Sequence, residues 1–222
     1  MHNTGSEIYI KECEFEENSA GSYAALYSRS TSKVEVNCCH FKSNLASNNG
    51  GAIGNAHTSE MTILDSNFNN NQAINGGAIQ NFLEASLTIS DCDFYNNSSR
   101  YGGILHLGGT SITEINDCRF LYNSAISMGG VIFSSGNSSV ELNNSKFESN
   151  LSESYSGVIH LTSNSVGLLN HCMFIENRAR YGGSLCNYSS MPIKIKKGTF
   201  FNNTASERGG AIFCAGGSDI EI

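Results

Sequence analysis

Apolar and polar residues alternate along this chain in short bursts. Leu87-Thr88-Ile89 and Val140-Glu141-Leu142 are typical. A period of two over so few residues predicts β-strands with one buried face. No stretch holds the ten or more residues of helical periodicity that a helical repeat unit needs.

The bursts recur at a fixed interval. Phe-x-x-Asn occurs eight times, with Phe15, Phe41, Phe68, Phe94, Phe120, Phe147, Phe174 and Phe200 spaced 26 or 27 residues apart. Their partners are Asn18, Asn44, Asn71, Asn97, Asn123, Asn150, Asn177 and Asn203. Five residues before each phenylalanine stands an aliphatic, as in Ile63, Ile89 and Ile115. Eight or nine residues after it comes a small pair and two apolar residues, as in Gly50-Gly51-Ala52-Ile53 or Gly209-Gly210-Ala211-Ile212. The first copy reads most simply as Ala24-Ala25-Leu26-Tyr27.

Three short strands per repeat, one repeat per turn, predict an all-β, right-handed, single-stranded parallel β-helix of about eight coils. At about 4.8 Å per coil the rod would be on the order of 40 Å long. The phenylalanines and the aliphatics before them should point inward. The asparagines should bond amide to amide as an internal ladder. The Gly-Gly pair should serve either a positive φ or a close backbone approach. Residues 1–7 read as a polar lead-in, and 8–222 as one β-helix domain. Its end, Ile220-Glu221-Ile222, has the pattern of a ninth coil's opening strand, as expected for a piece of a longer rod.

Composition narrows the classes. The 222 residues carry a net charge of −7, with 15% charged residues, 23 glycines and one proline. An acidic chain with no basic run is not a nucleic-acid binder. Its even scatter of Phe, Ile, Leu and Val argues against disorder. No apolar stretch is long enough for a membrane-spanning helix, and the segment after Met1 lacks the pattern of a signal peptide. Membrane contact is therefore expected only through parts outside this chain.

Phe-x-x-Asn alternating with Gly-Gly-Ala-Ile/Leu/Val resembles the polymorphic outer-membrane protein repeats of chlamydiae, and related repeats in protist surface proteins. The resemblance covers residues 8 to 222. It implies an autotransporter-like passenger on the cell surface that adheres to host cells. The partner would be a protein or glycan on a host or neighbouring cell. Two other roles fit a β-helix. One is an extracellular fibre or envelope element assembled head to tail from open ends. The other is a polysaccharide-active enzyme.

Candidate chemistry is sparse. Asp65, Asp91 and Asp117 stand three residues before their phenylalanines, a stacked carboxylate column as enzymes require. The same column continues as Glu12, Cys38, Asn144, His171 and Lys197, which favours a turn position. Cys13, Cys39, Cys92, Cys118 and Cys172 share another column with Ser66, Ser145 and Gly198. A site that accepts only small side chains suits buried free thiols. Cys186 and Cys214, one position out of register, remain candidate partners for a disulfide. No metal or cofactor is expected, because neither Cys-x-x-Cys nor a histidine ligand spacing occurs. A tyrosine-rich column just before the small pair (Tyr23, Tyr101, Tyr155, Tyr181) is the candidate contact surface. Glycan-acceptor sequons stand at Asn96, Asn97, Asn137, Asn143, Asn150, Asn187 and Asn202.

Overall fold

A computed structural model describes residues 1–215 and 218–222. The chain winds into a right-handed parallel β-solenoid of about eight turns, with no helix among the described residues. Each turn is built from short strands that pair in register with the turns before and after. The coil around Phe120 shows the plan: Ile112–Asn116, Arg119–Leu121, Ser124–Met128 and Ile132–Ser134. These belong to four different parallel sheets.

The first sheet stacks nine strands from His2–Thr4 to Ile212–Cys214, and the second stacks nine from Glu7–Lys11 to Ile220–Glu221. The third, which carries the phenylalanines, runs over eight strands from Glu14–Glu16 to Thr199–Phe201. The fourth joins Ser98–Tyr101 to Thr204–Arg208 over five strands, and single bridges through Gln72 link it back to Leu45–Ala46. Three strands per coil were expected, and this fourth is an addition. Its alternation is carried by small residues such as Ala73, Ser99 and Ala125, which a hydrophobicity pattern barely registers.

Inside, the columns fill the rod. The rings from Phe15 to Phe200 stack face to face with centroids 4.6–5.0 Å apart, at the spacing of adjacent strands. The six central rings are fully buried, as are Ile63, Ile89, Ile115 and Leu142 from the second sheet. Burying each such side chain contributes roughly 1.5–3 kcal/mol. In the asparagine column each Nδ2 donates to Oδ1 of the next coil at 2.8–3.1 Å. From Asn44 onward the second amide hydrogen goes to the phenylalanine carbonyl of the coil before, as from Asn123 to Phe94 at 3.0 Å. The next Oδ1 also accepts the backbone N–H, as Asn150 Oδ1 does from Asn123 at 2.9 Å. In the central coils every polar atom of these amides is therefore paired, which makes burying them tolerable.

A second polar column was not anticipated. Asn3, Ser28, Asn55 and Asn81 align on the inner side of the first sheet, and Asn55 donates to Asn81 Oδ1 at 2.9 Å. The column then turns to Leu107, Ser134, Leu161 and Asn187, so no repeat of one residue type betrays it.

The corners bend by backbone conformation. The column before each cysteine position, including Asp65, Asp91 and Asp117, is left-handed throughout, with φ between 47° and 54°. So is the residue before each ladder asparagine, such as Tyr122 at φ 57° and Glu176 at 54°. Left-handed backbone costs a non-glycine residue about 1 kcal/mol or more. Coil-to-coil hydrogen bonds hold it in place, as from Asp117 N to Asn143 O at 3.0 Å. At the Gly-Gly corner the two glycines do different jobs. Gly76 has φ 65°, while a Cβ on Gly77 would lie 2.1 Å from the carbonyl oxygen of Gly103 on the next coil.

Two readings of the first coil are corrected. His2–Thr4 is not a lead-in, because it pairs with Tyr27–Arg29 and places Asn3 inside the rod. Leu26, not Tyr27, pairs with Ile53, so the first copy of the motif is Tyr23-Ala24-Ala25-Leu26. Tyr23 therefore occupies the first-glycine position, with φ 58°.

Candidate binding surface

The outer side of the first sheet is not polar. Tyr27, Gly54, Gln80, His106, Phe133, His160, Cys186 and Phe213 form one outward column. The chain reaches this face through the Gly-Gly corner, so the residue just before the corner folds back over it. That residue is Tyr101, Tyr155 or Tyr181 in three of the coils. The result is an aromatic seam on the outside of the rod.

Tyr101 packs on Phe133 at 5.7 Å, and Tyr155 lies 5.6 Å from His160 and stacks on Tyr181 at 5.1 Å. Tyr181 in turn meets Phe213 at 5.7 Å, and Tyr188 stands edge-on to Tyr155 at 5.6 Å. The rings of Tyr101, Phe133, Tyr155, Tyr181 and Phe213 keep a half-exposed side. Arg100 lies over the Tyr101 ring and Arg180 over the Tyr181 ring, each at 5.3 Å. The Tyr181 hydroxyl donates to Glu207, which also accepts from Arg180 Nε at 2.6 Å. The bond to Glu207, with burial adding to it, raises the Tyr181 pKa.

Tyr23 belongs to the seam from a different position. Its ring stacks on Tyr27 at 4.3 Å and covers Gly54, and its hydroxyl donates to Gln80 Oε1 at 2.7 Å. Burial, with a smaller contribution from Tyr27, pushes its pKa up to about 12. The sequence column thus groups Tyr101, Tyr155 and Tyr181 correctly in space, and Tyr23 reaches the same surface one residue later in the motif.

The seam also holds two histidines, His106 and His160. His160 is 2% exposed, and its Nδ1 has no hydrogen-bond partner among the described residues. His106 Nδ1 faces the Gln80 amide nitrogen at 3.2 Å. Burial lowers both pKa values to about 4. At neutral pH both rings are uncharged members of an apolar layer. The available signal was their shared column with Phe133 and Phe213.

Elsewhere the surface is shallow. The outer face of the third sheet carries a hollow of about 380 Å³ lined by Asn69, Asp93, Tyr95, Arg119, Lys146 and Glu148. Its charges are used between and within coils, in the Arg119–Asp93 and Lys146–Glu148 pairs. A second hollow of about 480 Å³ runs along the fourth sheet between Leu45, Ile74, Ile126 and Leu151.

The carboxylate column does not assemble a site. Asp65, Asp91 and Asp117 are exposed corner residues, and none of the three carboxylates has a hydrogen-bond partner among the described residues. They serve the turn through their backbone rather than through a side-chain bond. The cysteines are free thiols, and the central ones are buried. Cys92 and Cys118 follow the hydrogen-bonding pattern of Ser66 and Ser145: Cys118 Sγ donates to Asn116 O and accepts from Cys92 N at 3.4 Å. Burial pushes the Cys172 thiol up to about 11. The bond with Cys92, together with burial, raises Cys118 as well. Thiols so held are poor nucleophiles at neutral pH. Cys186 and Cys214 are not partners, because strand alternation puts Cys186 on the outer side and Cys214 on the inner side.

The sequons divide by position. Asn97, Asn150 and Asn187 are interior; Asn96, Asn137 and Asn202 are exposed; Asn143 is half-buried.

The sequence profile described as right handed beta helix region matches residues 1–165. The profile of the Chlamydia polymorphic membrane protein repeat matches residues 197–215, which span Phe200-x-x-Asn203 and Gly209-Gly210-Ala211-Ile212. Comparisons with curated proteins and with solved structures returned no match. The chain belongs to the right-handed β-helix family, and one of its repeats matches that of the chlamydial polymorphic membrane proteins.

Proposed function

We propose that this chain is a non-catalytic segment of a surface-exposed rod that adheres to a protein or glycan on a host or neighbouring cell. The observation that carries this reading is the uniformity of the coils. Eight turns differ in length by one residue, so no long loops rise to wall a cleft. The two hollows described above are open grooves on the rod's flank. Such a shape offers long, flat surfaces for recognition and no enclosed volume for chemistry. The chlamydial repeat match supports a surface location.

The aromatic seam is the contact surface in this reading. Half-exposed tyrosines held rigid by rings beneath them lose little entropy on binding, and tyrosine is enriched at binding hot spots. Stacking on a sugar or on a partner's apolar anchor suits the same geometry.

The test is direct binding of the purified rod to cultured host cells and to immobilised surface glycans. Saturable binding that unlabelled rod competes away is expected. Binding no stronger than that of a rod with Tyr101, Tyr155 and Tyr181 replaced would contradict it.

A further inference from the structure

Seven sequons in one chain look like seven equivalent acceptors, and the structure makes them unequal. N-linked transfer forms a bond between Asn Nδ2 and C1 of the sugar. The C1–O bond to a lipid pyrophosphate carrier breaks, and one amide proton passes to solvent. The asparagine is left with a single N–H and a bulky polar substituent.

At three sites the fold uses both amide hydrogens. Asn97 Nδ2 donates to Asn123 Oδ1 at 3.0 Å and to Phe68 O at 2.8 Å. Asn150 Nδ2 donates to Asn177 Oδ1 and to Phe120 O, each at 3.0 Å. Asn187 Nδ2 donates to Met191 O and to Asp219 O, each at 3.1 Å. All three residues are at most 1% exposed, so no channel leads a sugar outward. By contrast, Asn96, Asn137 and Asn202 are exposed, and Asn96 uses one amide hydrogen, toward Asn70 Oδ1 at 2.7 Å.

Transfer to the unfolded chain precedes burial, so the interior sites are accessible at that moment. We propose that N-glycan transfer before folding blocks this rod through Asn97, Asn150 and Asn187, whereas Asn96, Asn137 and Asn202 carry glycans without harm. The wild-type chain then matures only along a route without N-glycan transfer.

The columns supply a gentle way to remove the three sequons. Ser99 and Ser152 both pair with Ala125, and the Ser99 hydroxyl has no hydrogen-bond partner among the described residues. Asn187 shares its column with the buried Ser28 and Ser134. Ser99→Ala, Ser152→Ala and Asn187→Ser together delete the interior sequons with residues the same columns already accept.

The 222-residue chain is made in the bacterial cytoplasm and, behind a cleavable leader, in a mammalian secretory pathway, with and without tunicamycin. Protease resistance, β-sheet circular dichroism and site-by-site glycan occupancy are read. The bacterial wild type and triple variant are expected to be equally protease-resistant. The secreted wild type should be protease-sensitive, with sugar on the interior sites. Tunicamycin or the triple variant should restore a resistant rod, the latter glycosylated only at the remaining sequons. A protease-resistant secreted wild type overturns the proposal, whichever sites are occupied. So does a chain that stays protease-sensitive in the secretory route after both remedies.

Discussion

The inner columns and the outer seam are both stacks of rings at the same coil spacing, yet their sequences behave differently. The inner stack is phenylalanine in every coil, each ring within 10° of its neighbour's plane. The seam mixes Tyr, His, Phe, Met, Gln and Cys, with interplanar angles from 13° to 89°. An interior slot is bounded by the coil's own walls and by the coils above and below, so one shape fits. The seam is bounded on one side only, and each coil can fill it differently without upsetting its neighbours. Uniformity marks what the rod needs to stand; variety marks where it is free to acquire specificity.

The most damaging way to break the inner side of that contrast is Phe120→Ala. Removing a fully buried ring between two others should cost about 3–5 kcal/mol. A lower denaturant midpoint at unchanged slope would report it, whereas Tyr101→Ala should cost about 1 kcal/mol or less.

Acid probes the outer side. His106 and His160 have pKa values near 4 in the folded rod, below the 6.5 of an unfolded histidine. Between those values the unfolded chain binds more protons. Stability from these two groups is therefore complete above about pH 6.5 and is lost as pH falls toward 4. Each contributes up to about 3 kcal/mol. His160→Phe should flatten that part of the curve, measured as melting temperature against pH.

Asn123→Ala takes away the acceptor for Asn97 Nδ2 and the donor to Phe94 O. Leaving such groups buried and unpaired should cost about 1–3 kcal/mol. Asn18→Ala, at an end of the ladder, should cost less, and the difference between the two midpoints sharpens the ladder account. The smallest expected effect is a gain. Glu176→Gly relieves a left-handed corner at φ 54° and should stabilise by about 1 kcal/mol or less, read in the same titration.

Much of this architecture was legible because inward columns repeat one residue type. Phe-x-x-Asn fixes the stack and the ladder, and Gly-Gly fixes a corner where one residue needs positive φ and the next has no room for a Cβ. What escaped notice lacked that identity. The column from Asn3 to Asn187 alternates amide, hydroxyl and leucine, each suited to its local coil, so its alignment needs coordinates. The left-handed corners accept Glu, Asp, Tyr, Lys and His, because coil-to-coil hydrogen bonds rather than glycine impose the bend. Tyr23 hid the register of the first coil by standing where six other coils have glycine. The tyrosine column and the column that His106 and His160 share with Phe133 and Phe213 were both legible, but their contact was not, since nothing in a sequence says that an outward face is roofed.

The central claim is that recognition resides in the seam while the ladder only carries it. Binding of the wild-type rod to host cells, set beside that of the triple Tyr101→Ser, Tyr155→Ser, Tyr181→Ser variant, tests this most directly. The account predicts a loss of binding of tenfold or more, with circular dichroism unchanged and the melting temperature shifted by only a few degrees. Undiminished binding by a folded triple variant would contradict it and move the contact surface to another face of the rod.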